Sequence, residues 1–234
     1  MRAVLVSVDY DDYLAVTLPL NRHHFERAVV VTTEEDQKSR RVALFNDCDV
    51  VSTNSFYDDG ADFNKWRALE EGIQLALEMP GGDGWICVMD ADVIWPREVD
   101  MSEFDCGKIY GPRRRMCPFG PGVELPAESE WGRYLHARQN RYLSGYSMIF
   151  HRDDPALGER PWFPQFLTHA GRGDLTFQLK WPEFRRARPN FSVLHLGENR
   201  RNWIGRITRR IDDGTCPIVT QEHERRLIAA IRAS

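Results

Sequence analysis

An α/β fold, with a mixed but mostly parallel central sheet flanked by helices, is what this sequence predicts, and three observations carry the prediction. Short runs rich in apolar and β-branched residues recur at 3–8, 27–32, 50–52 and 85–89. Runs of this kind read as strands covered on both faces, the usual situation in a parallel sheet. Segments with helical spacing separate them, and strands alternating with helices build βαβ units. The chain has 234 residues, 42% of them hydrophobic and 28% charged, enough to bury one sizeable core and too apolar for a disordered chain.

The elements follow in order. The opening run at 3–8 is closed by Asp9 and is too short for a signal-peptide core, so it reads as the first strand. Residues 12–24 show partial helical spacing at Leu14, Leu18 and Leu20, and Arg-Ala-Val-Val-Val-Thr at 27–32 is the second strand. Residues 36–45 form a helix or a turn and a helix, and 50–52 form a short strand. The clearest helix is 62–79, where Phe63, Trp66, Leu69, Ile73 and Leu77 fall on one stripe before Pro80-Gly81-Gly82 stops it. Residues 85–89 are then a buried strand. Beyond 105 the pattern loosens: a short strand at 108–111, a Pro-, Gly- and Arg-rich loop at 112–126, a helix at 128–139 and a strand at 144–151. An aromatic loop at 155–166 precedes a helix at 174–181 with Asp174 as its N-cap, a last strand at 191–196, a basic segment at 199–210 and a C-terminal helix at 211–234. No linker divides the chain, so it reads as one domain over 1–234.

Composition narrows the classes. No apolar run approaches the roughly 18 residues that span a bilayer, so no membrane partner is expected. The five cysteines are odd in number, scattered and without a Cys-x-x-Cys, which argues against a disulfide framework or a zinc site and for a reducing cytoplasm. The net charge of −4 hides an asymmetry: residues 1–105 carry 9 basic against 22 acidic side chains, and residues 106–234 carry 22 against 13. Twenty of those 22 basic residues are arginine, which suits bidentate phosphate recognition. Either the two halves attract each other across one fold, or an acidic metal pole lies beside a phosphate-binding face.

Asp90 and Asp92 follow the 85–89 strand at i, i+2, which puts both carboxylates on one side at its carboxyl end. That end is where ligands bind in open α/β sheets. Two carboxylates there repel each other unless a cation lies between them, and Mg²⁺ or Mn²⁺ is typically held by one or two carboxylates plus substrate phosphates. The pair points to a metal–diphosphate site.

With this motif the chain resembles the nucleotide-sugar glycosyltransferases of the GT-A fold, of the family-2-like inverting kind, over about residues 3–205. The features come in the family's order: Ser7-Val8-Asp9 and Thr32-Thr33 at the first two strand ends, Asn64-Lys65-Trp66-Arg67 opening a helix, then Met89-Asp90-Ala91-Asp92 as the Asp-x-Asp signature. Gly171-Arg172-Gly173-Asp174-Leu175 and His195-Leu196-Gly197 complete the set. The resemblance implies that 1–105 binds the nucleotide sugar, a UDP-sugar foremost, and that 106–210 binds the acceptor. Ser7, Asp9 and Thr33 would contact the nucleotide. Asp92 would ligate Mn²⁺ or Mg²⁺ directly, Asp90 would do so through water or hold the ribose, and His195 would be a third ligand. Lys65, Arg200 and Arg201 would neutralise the diphosphate, and Asp174 would be the base for inversion; Gly173 stands where the family usually has a second acid.

The second half adds Arg113-Arg114-Arg115 in its Gly/Pro loop and aromatics such as Trp131 and Tyr146, read as an acceptor wall. Basic clusters interleaved with aromatics suit an enzyme that modifies a base in nucleic acid. The leading expectation for the acceptor is accordingly a hydroxylated base in DNA, as in virus-type DNA modification, with a glycan or protein as the alternative. Two other classes stay open. A non-catalytic nucleic-acid-binding protein explains the arginines but not paired acids at a strand end. A sugar-phosphate nucleotidyltransferase calls for a Gly-rich basic loop after the first strand, where this chain has Asp9-Tyr10-Asp11-Asp12.

Overall fold

The structure is a computed structural model that describes residues 1–120, 123–135, 142–197, 202, 204–206 and 210–211. Along the chain these form β1 (Arg2–Val6), α1 (Asp11–Asn21), β2 (Arg27–Thr32), α2 (Gln37–Phe45), β3 (Asp49–Ser52), α3 (Lys65–Glu78), β4 (Trp85–Asp90) and β5 (Val93–Ile94). They continue with β6 (Ile109–Tyr110), β7 (Arg113–Met116), β8 (Ser147–His151), α4 (Gly173–Gln178), β9 (Arg186–Ala187) and β10 (Ser192–His195).

Seven strands make the main sheet in the order β3-β2-β1-β4-β8-β6-β9. The first four run parallel, β8 is antiparallel to both of its neighbours, and β9 runs parallel to β6. Alternation along β1 and β2 divides the core. Val4, Val29 and Val31 face Trp66, Leu69 and Ile73 of α3. Ala3, Leu5, Ala28 and Val30 face Leu14 and Leu18 of α1 and Val42 and Ala43 of α2. Helix α3 comes down hard on the sheet at Gly72, where a Cβ would stand 2.4 Å from Val31 Cγ2 and 2.7 Å from Val4 Cγ1. A second sheet, β5-β10-β7, covers one end of the first over Tyr13, Ile94, Cys117, Leu194 and Leu196. The strand β4 from the acidic half pairs with β8 from the basic half, so the main sheet is shared between them.

Several expectations are corrected. The helix expected over 62–79 begins at Lys65 because the Asn64 side chain caps it, accepting from the N–H groups of Trp66 and Arg67 at 3.2 and 3.3 Å. Residues 113–116 are not loop but strand β7, paired in parallel with β10. The segment 128–133 makes a 3-10 turn rather than an α-helix, while 136–139 lie outside the described residues. Asp174 is not the N-cap of α4; Arg172 holds that place and Asp174 is in the first turn. His24 is half-buried against Phe25 and Trp95. The C-terminal helix expected over 211–234 lies, apart from Ile211, outside the described residues. Among the described residues no helix is long and apolar enough to cross a membrane. Cys48, Cys87, Cys106 and Cys117 carry free thiols.

Candidate active site

The site is built at the carboxyl end of β4. Asp90 is the last residue of that strand, level with Val6 of β1, and its N–H is held by the Tyr146 carbonyl at 2.9 Å. Lys65, the first residue of α3, reaches across to place Nζ 2.7 Å from Asp90 Oδ1 and 4.5 Å from the Trp66 ring centre. Two residues on, β5 turns back to pair antiparallel with β10, which sets Val93 opposite His195. The Leu196 N–H closes this corner on the Asp92 carbonyl at 2.8 Å.

Long-range pairing thereby brings His195 Nε2 to 3.6 Å from Asp92 Oδ1, with both side chains buried. Asp92 Oδ1 and His195 Nδ1 find no hydrogen-bond partner among the described residues. Burial pushes the Asp92 pKa above the usual carboxylate value; the imidazole opposes that shift and the neighbouring Asp90 charge adds to it. A buried, unpartnered carboxylate oxygen is costly unless a cation or donor satisfies it. An imidazole nitrogen beside a carboxylate is a donor set that suits Mn²⁺ or Mg²⁺ with substrate oxygens completing the shell. The corner has no room for a side chain at 197: a Cβ on Gly197 would lie 1.9 Å from Asp92 Oδ2. Of the three ligands expected from the sequence, Asp92 faces His195, while Asp90 Oδ1 is bonded to Lys65.

A cleft of about 460 Å³ opens over these residues. Residues 142–146, 170–172 and 174–175 also line it. Asp174 stands there with Oδ2 accepting from the Gly145 N–H at 2.8 Å. The Trp66 indole N–H bonds the Ala170 carbonyl at 2.7 Å, and a Cβ on Gly173 would lie 2.2 Å from that indole nitrogen, so this wall is pinned directly to α3. Arg114 lies over the Tyr146 ring at 4.7 Å, and both line the cleft. The buried Tyr146 hydroxyl donates to the Pro112 carbonyl at 2.5 Å, and burial pushes its pKa up to about 12.

Lys65, Asp90, Asp92, Asp174, His195, Arg114 and Tyr146 therefore meet in one cleft. The other expected residues that are described do not line it. Ser7 is buried with its hydroxyl 3.0 Å from that of Ser39; Asp9 is exposed, with its N–H on Asp36; Thr33 is buried at the end of β2. Arg113 is exposed, Arg115 bonds the Tyr134 carbonyl at 3.0 Å, and Trp131 packs beneath the small sheet. Arg200 and Arg201 lie outside the described residues. Nearby, His169 Nδ1 accepts from the Gly171 N–H at 2.9 Å.

Sequence reasoning missed Tyr10, Asn202 and Arg206, which also line the cleft. It missed too the pairs that fix that rim: Arg206 grips the buried Asp12 carboxylate and Arg210 grips that of Asp11, the latter at 2.7 Å for both nitrogens. The signal was the acidic run at 9–12 set against the basic run at 199–210, visible as charge but not as a pairing.

No family model matches the sequence, and no curated protein does. Among solved structures the chain is similar to mannosyl-3-phosphoglycerate synthase from Rubrobacter xylanophilus, with a TM-score of 0.56 at 14% identity over 99% of this chain and 71% of that one. It is also similar to the inositol-1-phosphate CTP transferase from T. maritima (TM-score 0.52, 10% identity, 85% of this chain and 89% of that one). A mycobacterial protein matches with a TM-score of 0.50 at 19% identity, over 86% of this chain and 67% of that one. Likeness at such identities establishes architecture: the chain has the GT-A fold, with its cleft at the carboxyl end of the central strand.

Proposed function

We propose that this protein is a divalent-metal-dependent glycosyltransferase that moves a sugar from a nucleoside diphosphate sugar, a UDP-sugar foremost, to an acceptor hydroxyl. The observation that supports the reading best is the buried, unpartnered Asp92 carboxylate oxygen 3.6 Å from His195 Nε2, at the carboxyl end of the central strand. Asp92 and His195 would hold the Mn²⁺ or Mg²⁺. When bound, the ion supplies positive charge to the diphosphate and lowers the cost of its departure.

The chain's own groups do the rest. Lys65 is fixed by Asp90 and by the start of α3, which presents an ammonium to the leaving diphosphate without the entropy of a free side chain. Asp174 is oriented by the Gly145 N–H and takes the proton of the acceptor hydroxyl. The acceptor oxygen forms a bond to the anomeric carbon as the carbon–oxygen bond to the diphosphate breaks, and the proton ends on the Asp174 carboxylate. With base and diphosphate on opposite sides of the sugar, one such displacement inverts the anomeric centre.

Nothing supports a DNA acceptor, and several of the described second-half arginines are engaged inside the chain. Arg160 bonds Glu70, Arg185 bonds Asp154, Arg186 the Trp181 carbonyl, Arg188 the Tyr142 carbonyl, and Arg206 and Arg210 the aspartates of α1. The same engagement leaves little for a non-catalytic nucleic-acid-binding role. The T. maritima transferase shows that this fold also serves nucleotidyl transfer, but here the chain after β1 carries Asp11 and Asp12, each gripped by an arginine, where a basic phosphate loop would be needed.

A thermal-shift panel of UDP, GDP, CDP and dTDP, each with and without Mn²⁺, tests the proposal, since a ligand of the native state raises the melting temperature by mass action. A nucleotide shift that requires Mn²⁺ and vanishes in Asp92→Ala is expected. Nucleotide shifts that are indifferent to Mn²⁺ and to that substitution, or no shift at all, overturn it.

A further inference from the structure

The cleft segment around Asp174 contains a residue that neither packing nor the transfer mechanism explains. Arg172 lines the cleft in a left-handed conformation, φ 67°. That region favours glycine, and a long side chain held there stores strain that tends to mark functional positions. Glycines stand on both sides of it, Gly171 and Gly173, both buried. The backbone around it is held: the Gly171 N–H is bonded to His169 Nδ1 at 2.9 Å, the Arg172 carbonyl accepts from the Thr176 N–H at 3.0 Å, and Gly173 is pressed against the Trp66 indole. A third glycine would make the same turn without strain, yet an arginine is here.

The other cations of the cleft have tasks. Lys65 is bonded to Asp90, Arg206 to the Asp12 carboxylate, and Arg114 lies over Tyr146. The guanidinium of Arg172 is exposed and makes no hydrogen bond or ion pair among the described residues. It stands two residues before Asp174, the base of the proposed transfer, and lines the same cleft. A planar, permanently charged fork in that position is built for a phosphate or a carboxylate.

We propose that Arg172 binds an anionic group of the acceptor, so that the acceptor is a small hydroxylated anion, a phosphate monoester or a carboxylate, whose hydroxyl is thereby delivered to Asp174. A cleft of about 460 Å³ suits a small molecule. The proposal rests on the glycosyl-transfer reading.

The test is calorimetric titration of the protein saturated with Mg²⁺ and whichever of UDP, GDP, CDP and dTDP gives the largest thermal shift. Glycerol 3-phosphate and D-glycerate separate the two anion chemistries, glycerol is the neutral control, and a 12-nucleotide single-stranded DNA is the polymeric competitor. Expected is binding of one of the two anions, none of glycerol, and at least a 10-fold loss of anion affinity in Arg172→Gly. In that variant the melting temperature and the nucleotide affinity hold, and Arg172→Lys retains part of the anion affinity. Equal anion binding by wild type and Arg172→Gly overturns the assignment. So does absence of anion binding where the nucleotide binds, or binding of the DNA in preference to both anions. If no nucleotide binds, the transfer reading falls, and the same anion comparison on nucleotide-free protein decides Arg172 separately.

Discussion

Residues 1–105 and the residues after them build the two walls of one cleft by different means. In the first half, buried parallel strands set the side chains: Asp90 is placed by the register of β4 against β1, and α3 is seated by Gly72 against Val4 and Val31. In the second half the strands are short and the chain between them is fastened by single side chains. Arg185 and the Trp181 indole converge on the buried Asp154 carboxylate; Arg160 holds Glu70; Arg186 and Arg188 bond backbone carbonyls. Among the described residues, several of the arginines that look in the sequence like a polyanion-binding face are fasteners of an irregular wall. Guanidinium suits that task because one fork can satisfy a carboxylate or several carbonyls at once.

The largest effect that can break this comparison is on stability. Arg206 and Asp12 have side-chain exposures of 6% and 0%, against 45% and 33% for Arg27 and Asp49. Removing one partner of a buried pair costs about 3–5 kcal/mol, and an exposed pair is worth about 1 kcal/mol or less. Arg206→Ala should therefore lower the urea midpoint far more than Arg27→Ala. Equal losses would mean that the second-half arginines are not fasteners.

Acid sharpens the contrast next. In the first half, burial, with help from His23, lowers the His24 pKa from 6.5 to about 4. The unfolded chain therefore binds this proton first as pH falls. The stability it contributes is complete above pH 6.5 and is lost on descending toward pH 4, by about 3 kcal/mol at most. His24→Leu should flatten that part of the stability–pH curve. An unchanged slope in the variant would place the acid sensitivity elsewhere.

The smallest effect is the most local. A Cβ on Gly197 would collide with Asp92 Oδ2, so Gly197→Ala has to displace the carboxylate. Metal-dependent nucleotide affinity should fall by about 10- to 100-fold, the range for disturbing a ligand's support. Affinity at the wild-type level would show that the Asp92 orientation does not matter.

What could be read from the sequence follows the same division. The strands β1, β2 and β4 and the helix α3 were legible because each is long enough for local periodicity to speak, and the Asp90–Asp92 pair because i, i+2 on a strand is a local relation. Strand β7 was not legible: Arg113-Arg114-Arg115-Met116 has no strand pattern, and its pairing with β10 is decided about 80 residues away. His195 could be named as a candidate ligand, but only the antiparallel pairing of β5 with β10 brings it to Asp92, while Asp90 is met by Lys65 from the start of α3. Charge asymmetry was visible as a sum; which arginine meets which acid depends on the folded path of the chain.

The central claim is that Asp92 and His195 hold the cation that bridges the donor diphosphate. Electron paramagnetic resonance of Mn²⁺ tests it most directly, because the free ion gives a sharp signal that is lost on binding. Asp92→Asn removes the charge with little change of shape, and a thermal melt of the metal-free variant checks that the comparison is made on folded material. The account predicts that the nucleoside diphosphate drives Mn²⁺ onto the wild-type protein at one ion per chain, and that Asp92→Asn and His195→Ala each abolish this uptake. Undiminished Mn²⁺ binding by Asp92→Asn in the presence of the nucleotide would contradict it.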